Sequence, residues 1–306
     1  MECLATTSLL LHKWCRSTDP ETSQSSVFST RKTTSSARSK LRHRCHPRHL
    51  QPGPPRLAAD PSFAASWVGT HVAPYASSVS FRAICAGNEV IPGNLSSTVL
   101  PASRNLEAAL SAAGFFHPRH HRYLHPSTCH LLPSLRRVLL HRCVLGDGSP
   151  RCLPCGSGGA AASQRTPYFA YVADPADVDL GYALFGSGRV VIQDVGLGYT
   201  NLFDAMVDSV HAAVEKAGSK GVRLVVSETG WPSGGGGPAA TVDNARAYNN
   251  RLVKHVKEGT PSRPGEEVEV YLFAMFNENL KPEGTERNFG LYNPDMTEVY
   301  HVDFNS

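Results

Sequence analysis

An alternation of strand, helix and strand in the C-terminal third constrains the fold of this chain more than any other feature. Residues 222–228 (VRLVVSE) and 268–276 (VEVYLFAMF) are almost continuous apolar runs. Between them, residues 241–258 have helical spacing, with Thr241 as an N-cap and Asp243 in the first turn. Apolar runs without polar alternation are typical of parallel strands that helices cover on both faces. We therefore predict an α/β fold, a parallel barrel with its site at the C-terminal ends of the strands.

Earlier parts of the chain continue the alternation. Residues 61–73 and 97–113 have the spacing of helices, and a strand is predicted between them at 79–86. Further on, residues 190–201 lead into an amphipathic helix at 202–217. These units indicate one large domain rather than several small ones.

Two basic segments break this order. Residues 1–56 carry a net charge of +7 and residues 115–165 carry +6, so in a chain of net charge +4 the remainder carries −9. An acidic body gives no support to nucleic-acid binding, which needs clustered cations on a folded face. Neither segment has a sustained apolar period, so we expect neither to join the core. We assign the domain to 57–306, with 115–166 as an anomalous Arg/His/Cys/Pro-rich segment.

The cysteines of the second segment leave an alternative open. Cys152 and Cys155 have the spacing of a zinc-ligand pair, and Cys129 and Cys143 precede them. Because no predicted strand or helix fixes the other ligands, we predict no metal and no cofactor. A zinc-dependent or nucleic-acid-binding module on this segment remains the competing hypothesis.

Short signals elsewhere bear on location. Residues 4–11 are apolar, but His12 and Lys13 end the run, which makes a poor signal peptide and is too short for a membrane span of about 20 residues. We therefore predict no membrane span. Asn94-Leu95-Ser96 is a glycosylation sequon whose use depends on secretion.

Two glutamates at predicted strand ends suggest the chemistry. Glu228 precedes Thr-Gly-Trp-Pro, and Glu89 follows Gly87 and Asn88 at the end of an alternating apolar run. Glycoside hydrolysis needs one carboxylic acid to protonate the leaving oxygen and one carboxylate to attack or stabilise the anomeric carbon. A strand-end glutamate alone is often a solvated loop residue, but two of them favour a carbohydrate-cleaving enzyme.

Longer motifs carry a family resemblance over about 57–114 and 167–306. They include VSFRAICAGNEV (79–90), PYFAY (167–171), VVSETGWPS (225–233) and YLFAMFNENLKPEGTERNFGLYNPD (271–295). With these motifs in this order, the chain resembles the plant β-1,3-glucanases of glycoside hydrolase family 17. The resemblance implies a (β/α)8 TIM barrel and endo-hydrolysis of β-1,3-glucan with retention of configuration.

The resemblance also implies a role for each matching residue. Glu89, after the fourth barrel strand, would be the general acid/base, and Glu228, after the seventh, the nucleophile. We expect their carboxyl groups to lie within about 8 Å of each other on adjoining parallel strand ends. Trp231 is expected to offer a flat sugar platform, although it could instead pack under its turn. The expected substrate-binding residues are Asn88, Tyr168, Phe169, Trp231, Glu278, Lys281 and Glu286.

Partners and location follow from the same family. The resemblance implies a monomer that is secreted or vacuolar and binds β-glucan polysaccharide, with a part in cell-wall metabolism and plant defence. It implies neither nucleic acid nor cofactor. A mixed-linkage β-1,3-1,4-glucanase and a non-catalytic glucan-binding remnant are the alternatives.

The departures from the family concern barrel closure. The first three strands have no counterpart in 1–56, and the fifth and sixth are not recognisable in 115–166, so the barrel is predicted to be incomplete. A foreign stretch between two matching parts suggests a shifted reading frame or mispredicted exons. An open remnant would expose sheet edges, so we expect the chain as written to have little or no activity.

Overall fold

The computed structural model describes residues 27–29, 53–76, 83–86, 90, 94–115, 125–129, 160–164, 166–216 and 223–305. For residues 27–29, 83, 85, 125–129 and 160–164 it describes the backbone alone.

A six-stranded sheet organises the described residues, in the order β1-β10-β7-β4-β3-β2. The run from β2 to β10 is parallel, and β1 adds to β10 in the antiparallel direction. The strands predicted at 222–228 and 268–276 are confirmed as β7 and β10, and the one at 79–86 as the shorter β2. The bounds are β1 Val27–Ser29, β2 Ala83–Cys85, β3 His125–Cys129, β4 Ala160–Gln164, β7 Arg223–Thr229 and β10 Glu269–Phe273.

Three of these strands correct the sequence analysis. β1 lies inside 1–56, where no strand was expected, and pairs with β10. β3 and β4 lie inside 115–166, the segment that was expected to contribute no strand. They connect β2 to β7 as parallel neighbours, with Thr128 opposite Ala161 and Gln164 opposite Glu228. Their compositions, HPSTC and AAASQ, lack an apolar period, so pairing with neighbouring strands determines their conformation. The rest of that segment, and the expectation that it stays outside the core, fall mostly outside the described residues.

The predicted helices are all present, with ends that shift by up to three residues. Thr241 caps the helix at 242–255 as predicted, because its Oγ1 accepts a hydrogen bond from the backbone N–H of Asn244 at 3.2 Å. The helices are α1 Pro54–Ala59, α2 Pro61–His71, α3 Ser96–Ala112, α4 Pro167–Ala173, α5 Leu180–Ala183, α6 Leu202–Lys216 and α7 Val242–His255.

Two small hairpins complete the described structure. β5 (Ile192–Asp194) pairs with β6 (Leu197–Tyr199) ahead of α6. β8 (Gly259–Thr260) pairs with β9 (Arg263–Pro264) between α7 and β10. The hairpins thus lie in the connections between barrel elements.

The core is divided into two clusters. The larger one joins β7 and β10 to α6 and α7, with Phe203, Val226 and Tyr248 fully buried at its centre. The smaller one packs α1 and α2 on α3 and reaches β2 through Ile84. Burying each of these large apolar side chains contributes roughly 1.5–3 kcal/mol, so the larger cluster holds most of the stabilising area.

Candidate active site

The C-terminal ends of β4, β7 and β10 lie side by side and form the edge where a site is expected. Glu228 occupies the second-last position of β7, where its backbone pairs with Gln164 of β4. Thr229 pairs with Leu272 of β10. The Glu228 side chain is half-buried at this edge. A carboxylate in this position can meet a substrate while the sheet fixes its backbone.

Buried hydrogen bonds fix the turn that follows Glu228. The hydroxyl groups of Thr229 and Tyr248 lie 2.7 Å apart in the core, where α7 packs against β7. Burial raises the pKa of the Tyr248 phenol above its usual range. Trp231 donates from Nε1 to the carbonyl of Ala239 at 2.8 Å, and Asn244 donates to the same oxygen. The hydrogen bonds of Thr229 and Trp231 therefore fix the turn on both sides of Gly230.

Trp231 differs from its expected role as a sugar platform. Its side chain has 0% exposure and packs edge-on against Tyr168 at 5.2 Å between ring centroids. Tyr248 contacts its other side at 5.6 Å. A ring without exposed surface cannot stack on a sugar in this conformation, so the alternative interpretation, packing under the turn, describes it.

Tyr168 and Phe169 lie on α4, just after β4, and have different surroundings. Tyr168 is 2% exposed and donates its hydroxyl hydrogen to the carbonyl of Gly236 at 2.7 Å. Phe169 is 42% exposed and lies 6.0 Å from Phe289. Of the three predicted aromatic residues, Phe169 alone presents ring surface that a sugar could cover.

Three of the predicted charged residues form one cluster after β10. Lys281 makes ion pairs with Glu278 and, at 3.3 Å, with Glu286. Its Nζ also lies 5.3 Å from the ring centre of Phe273. The Glu278 and Lys281 side chains are less than one tenth exposed, whereas Glu286 is about half exposed. Glu286 is therefore the member of the cluster that faces solvent.

The predicted acid and its neighbour fall outside the described residues. These are Glu89 and Asn88, which follow β2 by a few positions. The sheet order nevertheless corrects one expectation, because β3 and β4 separate β2 from β7. The ends of β2 and β7 therefore do not adjoin. The predicted separation of about 8 Å stays a prediction.

Sequence reasoning missed the residues that hold the site from behind. Tyr248 and Asn288 are examples, since their partners Thr229 and Gly284 become apparent only once α7 and the loop after β10 are in place. The run Gly234–Gly237 did carry a signal, because consecutive glycines often mark close backbone approach.

Two of the predicted absences concern metals and membranes. In the described ranges, no three His, Cys, Asp or Glu side chains are grouped as a metal site requires. The cysteine side chains of the competing zinc hypothesis, at positions 129, 143, 152 and 155, are outside those ranges. Over the same ranges no helix combines the length and apolar character needed to cross a membrane.

Comparison with known proteins identifies the family. The family model for glycosyl hydrolases family 17 matches residues 54–119 and 156–304. The chain is 53% identical over 250 residues to the putative glucan endo-1,3-β-glucosidase GVI of Hordeum vulgare, covering 81% of this chain and 78% of that protein. It is 42% identical over 265 residues to Lichenase-2 of Hordeum vulgare, with the same coverage of each chain.

Solved structures agree on the fold. One of two plant β-glucan endohydrolases with distinct substrate specificities matches at a TM-score of 0.70 and 38% identity, over 81% of this chain and 80% of that one. CJP38, a β-1,3-glucanase and pollen allergen of Cryptomeria japonica, matches at a TM-score of 0.68 and 36% identity, over 82% of this chain and 81% of that one. These neighbours are TIM barrels, which confirms the predicted barrel class. The chain belongs to glycosyl hydrolases family 17.

Proposed function

We propose that this chain is a retaining endo-β-1,3-glucanase in which Glu228 is the nucleophile and Glu89 the general acid/base. The observation that carries the proposal is the position of Glu228, half-buried at the end of a strand inside a parallel sheet. The strand next to it leads into the Lys281 cluster, and the strand on its other side leads into Phe169. A carboxylate flanked by charged and aromatic groups suits a polyhydroxylated substrate.

The reaction has two displacements at the anomeric carbon. The Glu228 carboxylate attacks the anomeric carbon while the bond between this carbon and the glycosidic oxygen breaks. The Glu89 carboxyl gives its proton to that oxygen. The Glu89 carboxylate then takes a proton from water, and the water oxygen displaces Glu228. These two steps require the carboxyl groups to lie about 5–5.5 Å apart, a distance that the mouth of a barrel allows.

In this proposal the remaining predicted residues bind and orient the sugar. Phe169 stacks on a glucose ring, and Asn88 hydrogen-bonds the 2-hydroxyl of the sugar that is cleaved. Glu286 accepts from sugar hydroxyls, while Glu278 and Lys281 fix its position through the ion pairs. We infer that the five parallel strands from β2 to β10 correspond to strands four to eight of the family barrel.

Mixed-linkage β-1,3-1,4-glucan is the second candidate substrate. The 42% identity to Lichenase-2 favours it, and the higher identity of 53% to a putative glucan endo-1,3-β-glucosidase favours β-1,3-glucan. Rates on laminarin and lichenan separate the two, because lichenan contains the β-1,4 bonds that laminarin lacks.

Substitution of each carboxylate tests the proposal. Glu228→Gln should remove nearly all laminarin hydrolysis, because an amide cannot act as the nucleophile. Glu89→Gln should cost about 10²–10⁴-fold, with a smaller loss on substrates whose leaving group needs no proton. Glu267→Gln is the matched control, since this exposed glutamate precedes the opposite end of β10, and its rate should be unchanged. Because β3 and β4 fill the gap between β2 and β7 on which the expectation of little or no activity partly rested, this proposal replaces that expectation, and the unchanged chain should hydrolyse laminarin. Hydrolysis that survives Glu228→Gln, or an unchanged chain without activity, would refute the proposal.

A further inference from the structure

Two adjacent glycines are wedged between the elements that flank Glu228. A Cβ atom on Gly236 would lie 2.4 Å from the Tyr168 hydroxyl oxygen and 2.2 Å from Thr285 Oγ1. A Cβ on Gly235 would lie 2.3 Å from the carbonyl oxygen of Gly284. Real Cβ atoms do not approach neighbours this closely, so the pair Gly235 and Gly236, here named the glycine wedge, leaves no room for a side chain in these directions.

Hydrogen bonds fix the wedge and the chain segments next to it. On one side the Tyr168 hydroxyl donates to the Gly236 carbonyl at 2.7 Å. On the other, Asn288 donates from its side chain to the Gly284 carbonyl at 2.8 Å and accepts at its own carbonyl from the backbone and side chain of Ser233. The loop after β7 is thus fixed to α4 and to the loop after β10.

The wedge also lies at the edge where the substrate is expected. It follows Glu228 by seven and eight residues, and Gly235 is exposed while Gly236 is partly exposed. It contacts Tyr168 and Thr285, and the residues that follow these two in the chain are Phe169 and Glu286. Both of these side chains face solvent.

We propose that the glycine wedge forms a wall of the sugar groove and that Tyr168 is a positioning residue, which acts on substrate binding by holding this wall. The proposal rests on the proposed function for the identity of the ligand, a β-1,3-glucan oligosaccharide. It assigns Tyr168 a different role from a stacking residue, since its ring has almost no exposed surface.

The first test removes one oxygen atom. Tyr168→Phe keeps the ring and its contacts but deletes the bond to Gly236, so the wall loses one of its two supports. A lost hydrogen bond of this kind corresponds to roughly a three- to tenfold weaker affinity for laminarihexaose. Tyr171→Phe is the matched control on the same helix, because its hydroxyl makes no hydrogen bond within the described residues, and it should leave the affinity unchanged.

The second test places a methyl group inside the wall. Gly236→Ala introduces the Cβ that Tyr168 and Thr285 exclude, so it should weaken laminarihexaose binding at least as much as Tyr168→Phe. Gly234→Ala is its control, since a Cβ there would meet only Asn288, at 3.8 Å, and it should leave binding unchanged.

The readout is the Kd of laminarihexaose, measured calorimetrically in the Glu228→Gln background so that turnover is not needed. In the otherwise unchanged chain, KM should rise by the same factor while kcat stays within about twofold. If Tyr168→Phe lowers only the melting temperature and leaves Kd and KM as in the Tyr171→Phe control, the proposal is overturned. Hexaose binding without wild-type hydrolysis would refute the proposed function and still test the wall. Absence of any binding would overturn both.

Discussion

At the scale of single residues, Gly230 has very tight surroundings close to Glu228, the proposed nucleophile. A Cβ at this position would lie 2.0 Å from the carbonyl oxygen of Phe273, so β7 and β10 approach each other through the space that a side chain would occupy. Gly230→Ala must separate the two strand ends. We expect the free energy of unfolding to fall by about 2–3 kcal/mol, and laminarin hydrolysis to fall with it because Glu228 lies two residues away.

Gly69 provides the control for this substitution. It lies in the last turn of α2, where a Cβ would meet no atom within 4 Å. Gly69→Ala should therefore stabilise the protein by about 0.5–1 kcal/mol through the better helix propensity of alanine. Chemical denaturation measures both variants. A Gly230→Ala protein as stable as Gly69→Ala would show that the strand ends can separate at no cost.

The sequence predicts the site to the extent that local motifs record it. The strand-end position of Glu228 follows from an apolar run that stops at a polar turn, and the structure has that geometry. The burial of Trp231 does not follow, because its contacts with Tyr168 and Tyr248 come from two helices far away in the chain. A sequence gives the type of an aromatic residue but not which neighbours cover it.

At the scale of elements, an ion pair connects α6 with α7. His255, in the last turn of α7, lies with Nε2 2.7 Å from a carboxylate oxygen of Asp204 in the first turn of α6. Burial alone would lower the pKa of His255, but the hydrogen bond and the charge of Asp204, together with Glu258, outweigh it and raise the pKa. Charged histidine at the end of a helix is also favoured by the helix dipole.

The sign of this pKa shift predicts a pH dependence of stability. Because the folded pKa is raised, the stabilisation is fully present below the unfolded pKa of about 6.5 and is lost as the pH rises through the folded value. His255→Gln should therefore lower the free energy of unfolding by about 1–2 kcal/mol at pH 5.5 and by less at pH 9. His301→Gln is the control, since its contact with Glu298 is exposed and should contribute little at either pH. Equal losses at both pH values would contradict the assignment.

Helices were predictable from the sequence, whereas some strands were not. The start of α7 follows from the Thr241 cap, which is a local signal, whereas the helix ends three residues before its predicted position. The strands β3 and β4 have no such stripe, and they are strands because β2 and β7 offer unpaired edges on either side. Pairing of this kind joins residues far apart in sequence, which pattern reasoning within a window cannot detect.

At the scale of the whole molecule, strand pairing is uneven across the sheet. Among the described residues, β4 and β7 share five residue pairs, β7 and β10 share three, β2 and β3 share three, and β3 and β4 share two. β7 and β10 are further held by the larger core cluster, while β2 contributes to the smaller one. The β2 side of the sheet is therefore joined to the Glu228 side through β3 and β4, the strands that share the fewest described pairs.

This unevenness predicts that the sheet opens from β2 before it unfolds as a whole. Hydrogen exchange followed by mass spectrometry should give slow exchange for peptides covering 223–229 and 269–273 and faster exchange for peptides covering 83–85 and 125–129. Since the proposed acid follows β2, laminarin hydrolysis should be lost at a urea concentration below that which exposes β7. Catalysis needs both sides of the barrel mouth at once, so opening at β2 alone would stop hydrolysis before β7 is exposed. Equal protection of all four peptides, with activity lost only at global unfolding, would instead show that the two- and three-pair contacts bind the sheet into one cooperative unit.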